Sequence, residues 1–223
     1  MPVLVKICGM KDAGILEEAL ALDPPMDVVG FVFAESKRRV TPEQAAAMIA
    51  SVRRKGLRLP KFAGVFVNPE ADELRSVLKQ VPLEIVQLHG QEPPGFCSWV
   101  RTEFNKNVVK VFPIARMLSE EELERMLDPY SGAIDALMLD TYDPRHGGGS
   151  GIPFRWEAIP PYRKWARRRG IPLFVAGGLN ADNVGALIAQ YEPDGVDVSS
   201  GVETDGVKDI HKIQTFVGRV KLS

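Results

Sequence analysis

Leu173-Phe174-Val175-Ala176-Gly177-Gly178 and, one helix-length later, Gly195-Val196-Asp197-Val198-Ser199-Ser200-Gly201 decide how this chain folds. Each is a short apolar run that stops abruptly in glycine or serine. The runs Leu173–Ala176 and Val196–Val198 show little polar alternation, which is how strands covered on both faces of a parallel sheet read. Six earlier runs have the same character: Val3–Cys8, Val28–Phe33, Phe62–Val67, Leu83–Leu88, Val108–Phe112 and Ala136–Leu139. Amphipathic stretches lie between them. Thr41 before Pro42, Asn68 before Pro69, Ser119, Asn180 and Asp209 offer helix N-caps, and Gly56, Gly132, Gly170 and Gly195 offer helix exits. A spacing of about 25–30 residues fits a repeated β–α unit. Eight such units within 223 residues suit a closed (β/α)8 barrel better than an open doubly wound sheet. The first β–α turn, Cys8-Gly9-Met10-Lys11-Asp12-Ala13-Gly14, also carries neither a dinucleotide fingerprint nor a P-loop. The expectation is one barrel domain over residues 1–223, without an internal linker.

Composition narrows the function. The 28 Lys and Arg residues nearly balance the 29 Asp and Glu residues, for a net charge of −1, which argues against a nucleic-acid partner. No stretch approaches the roughly 18 apolar residues that cross a bilayer, and the N-terminus does not read as a signal peptide, so a cytoplasmic protein without a membrane partner is expected. Two cysteines, Cys8 and Cys97, form no disulfide framework and suit a reducing compartment. Three histidines with no metal-ligand spacing predict no metal. The basic cluster Arg163-Lys164 and Arg167-Arg168-Arg169 reads as a solvated helix face.

In a barrel, function sits at the C-terminal ends of the strands. Lys6 and Cys8 share a face at the end of the first, Gln87 and His89 at the end of the fourth, and Asp140 ends the sixth. Gly177-Gly178 and Ser199-Ser200-Gly201 follow the last two strands, where barrels bind phosphate, and Gly201-Val202-Glu203 fits the short extra helix of such sites. Cys8 reads as a thiol base or a small buried side chain, and Asp140 as an acid or a turn cap. His89 reads as an acid–base or binding group or a structural histidine, while Cys97, His146 and His211 have no strand-end signal. Arg38 suits a substrate carboxylate through its guanidinium fork, and Arg39 reads as a loop charge. Asp197, beside a proposed phosphate site, needs a cationic or N–H partner. The Gly147–Gly151 run reads as a loop on the same rim.

Taken in order, these segments resemble the phosphoribosylanthranilate isomerases of tryptophan biosynthesis. The resemblance rests on Lys6-Ile7-Cys8-Gly9, Gly30–Phe33 followed by Ser36-Lys37-Arg38, Val86–Gly90 and Leu139-Asp140-Thr141. It continues through the glycine run before Phe154 and Trp156, Ala176–Asn180 and Gly195–Glu203, and so spans essentially the whole chain. It implies a (β/α)8 barrel that carries out an Amadori rearrangement of a phosphosugar-anthranilate without a cofactor. By motif it implies Cys8 as base, Asp140 as acid, Arg38 as anthranilate partner and Asp197 as partner of the substrate amine. Gln87 and His89 would line the pocket, and the loops at Gly177-Gly178 and Ser199–Gly201 would hold phosphate. A monomer or homodimer is expected. The sequence departs from the family pattern at Lys37, usually proline, and at Arg155, usually aspartate, and its glycine run is one residue longer than expected. The other readings are a metal-dependent epimerase, which would need several His and carboxylate ligands at strand ends, and a phosphate-ligand binding protein without turnover.

Overall fold

A computed structural model of the chain describes residues 2–141 and 156–222, so the Gly147–Gly151 run, His146 and Arg155 lie outside the described residues. Eight parallel strands close into a barrel in sequence order: β1 Leu4–Cys8, β2 Val28–Val32, β3 Lys61–Phe66, β4 Ile85–Leu88, β5 Asn107–Ile114, β6 Ala136–Thr141, β7 Leu173–Val175 and β8 Gly195–Val198. The helices α1 Ala13–Leu20, α2 Pro42–Arg54, α3 Ala71–Gln80, α4 Pro94–Phe104, α5 Glu120–Leu127, α6 Ile159–Arg169, α7 Val184–Tyr191 and α8 Ile210–Lys221 alternate with them. A two-stranded hairpin, β9 Glu203–Thr204 and β10 Val207–Lys208, is inserted between β8 and α8. Among the described residues no helix is long and apolar enough to cross a membrane.

Strand periodicity divides the core into layers. Val5, Ile7, Val29, Phe31, Phe62, Val86, Leu88, Leu137, Leu139 and Val196 pack outward against helices. Val28, Ala63, Ile85, Val109, Ala136, Met138 and Phe174 fill the barrel's interior. Above them, Cys8, Val32 and Val65 make a separate apolar cluster. The helices follow from their own patterns. In α8, Ile213, Phe216, Val217 and Val220 fall on one stripe and are buried. Asp209 caps it, and Thr41 with Gln44 and Ser119 with Glu122 form full capping boxes on α2 and α5.

Three expected caps differ. Asn68 sits at φ 46° and accepts a hydrogen bond from the Gln91 N–H at 2.7 Å; α3 starts after Glu70 instead. Asn180 is bent into a turn by bonds from the Asp182 and Asn183 N–H groups, so α7 starts after Asn183. Gly195 is not a helix exit, because Glu192, at φ 46°, ends α7. Gly195 opens β8, where a Cβ would stand 2.2 Å from Cε1 of Phe174. It is glycine because Phe174 fills that part of the interior. Gly195→Ala is therefore expected to cost about 1–3 kcal/mol by overpacking, read as a lower urea midpoint at unchanged slope. A midpoint equal to the parent's would mean that the Phe174 ring can move aside.

The basic cluster on α6 is not simply solvated. Lys164 and Arg168 pair with Glu120, Arg168 also with Glu124, Arg169 with Asp128, Arg167 with Glu192 and Arg163 with Asp194. These pairs lace α6 to its neighbours.

Candidate active site

Strand direction and register bring the C-terminal residues of the strands to one end. A cavity there is lined by Cys8, Arg38, Gln87, His89, Asp140, Gly177, Gly178, Asp197, Ser199 and Ser200, with Val32, Ala34, Val65 and Val67 as its apolar wall. Ten of the eleven residues singled out from the sequence thus face one volume. Gly201 does not. A Cβ there would sit 1.9 Å from the Leu179 carbonyl oxygen, so Gly201 lets the loops after β7 and β8 touch. The expected short helix is a 3₁₀ turn over Ser200–Val202, and Glu203 belongs to β9. Arg39 is exposed and lies outside this cavity, so of these two arginines only Arg38 lines it.

The centre of the site is a buried group on three neighbouring strands. Register sets Lys6 opposite Asp197 and Cys8 opposite Gly30. The Lys6 ammonium donates to Asp197 Oδ1 at 3.0 Å, and both side chains are almost fully buried. Sequence reasoning gave Asp197 the substrate amine as partner and assigned Lys6 nothing; the structure pairs the two within the chain. Two signs pointed this way: Lys6 shares a face with Cys8, and Asp197 needs a cationic or N–H partner. The position of a Cβ on Gly30 would lie 3.0 Å from both Cys8 Sγ and Lys6 Nζ, so the absent side chain makes the room in which thiol and ammonium approach.

Burial pushes the Cys8 thiol above its ordinary value, while Lys6 pulls it back. Burial likewise raises the Asp197 carboxyl against the pull of Lys6. The Lys6 ammonium sits above its usual value: burial opposes the charge, but Asp197 and Cys8 outweigh it. Across the opening, His89 Nε2 lies 3.2 Å from Asp140 Oδ2. Gln87 is 1% exposed, and its Oε1 receives no hydrogen bond from the described residues. Asn183 Nδ2 donates to the Gly178 carbonyl at 2.9 Å, and Ser199 Oγ to the Cys8 carbonyl at 3.1 Å, so both glycine- and serine-rich loops are anchored. Cys97 is buried away from this cavity, its thiol pushed up to about 11, chiefly by burial. Among the described residues no group of three or more His, Cys, Asp or Glu side chains is placed to hold a metal ion.

The family model described as N-(5'phosphoribosyl)anthranilate (PRA) isomerase matches residues 5–219. The chain belongs to this family. It is 45% identical over 217 residues to the N-(5'-phosphoribosyl)anthranilate isomerase of Brevibacillus brevis, covering 97% of this chain and 93% of the relative. The phosphoribosyl anthranilate isomerase of Thermotoga maritima superposes with a TM-score of 0.80 at 35% identity, covering 99% of this chain and all of that one. An isomerase of the family solved with reduced 1-(o-carboxyphenylamino)-1-deoxyribulose 5-phosphate matches at 34% identity with a TM-score of 0.76, over 99% of this chain and all of that one. As a phosphoribosylanthranilate isomerase, the chain is an enzyme and carries out this family's isomerisation step in tryptophan biosynthesis. The epimerase and non-catalytic readings give way to that membership.

Proposed function

We propose that Cys8 is the general base and Asp140 the general acid of this isomerisation. The substrate would be N-(5-phosphoribosyl)anthranilate, held between Arg38 and the loops after β7 and β8. One observation carries this reading: a thiol, a carboxyl, an arginine and two small-residue loops, from distant parts of the chain, line a single cavity at the strand ends. The phosphate would rest against Gly177, Gly178, Ser199 and Ser200, with Gly201 acting only to bring the loops together. The aromatic ring would lie on Val32, Ala34 and Val65, with its carboxylate at Arg38.

Asp140 would give its proton to the ribose ring oxygen as the C1–O bond breaks. The anthranilate nitrogen lone pair then forms the C1=N bond of a protonated Schiff base. Cys8 would remove the C2 proton, and those electrons neutralise the iminium to an enolamine, which tautomerises to the 1-(2-carboxyphenylamino)-1-deoxyribulose phosphate. In that last step C1 takes up a proton as the C2 hydroxyl gives one up, so the protons balance over the cycle. The two assigned transfers use side chains and require no metal or organic cofactor. Asp197, held at Oδ1 by Lys6, would present Oδ2 to the substrate amine. Gln87 Oε1 would accept from a ribose hydroxyl, and His89 would keep the Asp140 carboxyl aimed at the ring oxygen. Every group comes from one chain, so a monomer and a homodimer would be equally competent. Free Cys8 and Cys97 suit a cytoplasmic setting.

Arg38→Ala is the test of the binding half. Loss of a charge-assisted partner is expected to raise KM by roughly 10-fold or more while ribose 5-phosphate binds as before. If the ribose phosphate were lost in parallel, Arg38 would belong to the phosphate end and the substrate would be oriented the other way.

A further inference from the structure

Arg38 reaches the cavity already engaged. Its Nε and Nη2 donate to the two carboxylate oxygens of Glu203 at 2.7 and 2.8 Å. Glu203 opens the hairpin strand β9 and stands in register with Lys208 on β10. Both side chains are nearly fully buried. The Lys208 ammonium donates to Glu203 Oε1 at 2.6 Å, to the Ser199 carbonyl at 3.0 Å and to Ser199 Oγ at 3.3 Å. At the other end of the arginine, its stem lies across Gly9: a Cβ there, at φ 79°, would meet Arg38 Cδ at 2.5 Å. The side chain is held at both stem and head.

We propose that Glu203, backed by Lys208, is the positioning residue that orients Arg38 for the substrate carboxylate. This rests on the reading of Arg38 given above. A guanidinium has five N–H donors in a planar fork. Glu203 takes the edge made by Nε and Nη2, which fixes the plane and leaves Nη1, with the second hydrogen of Nη2, for one further carboxylate. A lone Glu203 would also cancel the Arg38 charge and weaken its pull on an anion. Lys208 answers that: two cations around one carboxylate leave one positive charge at the cavity. Burial works to raise the Glu203 carboxyl, but bonds from Arg38 and Lys208 hold it down at about 2, so the carboxylate stays charged. A buried ion pair alone is a poor source of stability, because desolvation offsets its attraction, which fits a role in orientation.

The experiment compares Glu203→Gln, Arg38→Ala and the double variant by steady-state kinetics and by binding of ribose 5-phosphate. Glu203→Gln is expected to raise KM roughly 10-fold, with kcat within about 3-fold of the parent and ribose 5-phosphate affinity unchanged. In the Arg38→Ala background the same change is expected to add nothing, since its route to the substrate is gone. An unchanged KM in Glu203→Gln, a lowered one (Glu203 competing with substrate), or full additivity in the double variant each overturns the proposal. An unaltered KM in Arg38→Ala, or a parallel loss of ribose 5-phosphate binding there, sinks the reading of Arg38 and the proposal with it, whereas the Glu203→Gln and double-variant outcomes bear on the proposal alone. If Glu203→Gln does not fold, Lys208→Gln keeps the fork but removes the compensating charge. It is expected to raise KM in the same way, and an unchanged KM there also overturns the proposal.

Discussion

Cys8→Ala is expected to cut turnover by roughly 10²–10⁴-fold, the usual contribution of a positioned acid–base group, with product-analogue affinity nearly intact. The base must be deprotonated to act, so activity rises as pH rises through the Cys8 titration. Burial places that titration above the ordinary thiol value despite Lys6, so the ascending limb extends into the alkaline range and should vanish in the variant. Cys97→Ala is the control. Its thiol lies outside the cavity, so turnover and the ascending limb are expected to persist. A Cys8→Ala enzyme with full activity would return Cys8 to the role of a small buried side chain.

Asp140→Asn is expected to produce a loss of the same order, about 10²–10⁴-fold, because asparagine keeps the shape beside His89 but has no acidic proton for the ring oxygen. The two variants should differ in one respect. Substrate deuterated at C2 reports the step assigned to Cys8. When ring opening is made slow by Asp140→Asn, the C2 isotope effect should shrink towards unity, since proton abstraction no longer limits the rate. In Cys8→Ala it should remain large. An isotope effect that stays large in Asp140→Asn would move Asp140 out of the ring-opening step.

The sequence alone determined what depends on near neighbours. Strands buried on both faces must be apolar throughout, helices need caps and stripes, and a polar residue at a strand end has no packing reason to be there. Hence the barrel, the helix N-caps at Thr41 and Ser119, and the rim positions of Cys8, Gln87, His89, Asp140 and Asp197 were legible. Tertiary structure decided the partnerships. Lys6 and Asp197 are 191 residues apart and meet only because barrel closure sets β8 beside β1 in one register. Arg38 finds Glu203 across 165 residues; the Asp205-Gly206 turn marks the hairpin locally, but nothing local tells that Glu203 on it meets Arg38. Gly195 and Gly201 looked like turn glycines but answer to Phe174 and Leu179, neighbours supplied by adjoining strands and loops. Local pattern sets which residues point inward, since strand periodicity is intrinsic to the backbone. Which inward residues share a layer is set by the stagger of the closed sheet, and that exists only once all eight strands are in place.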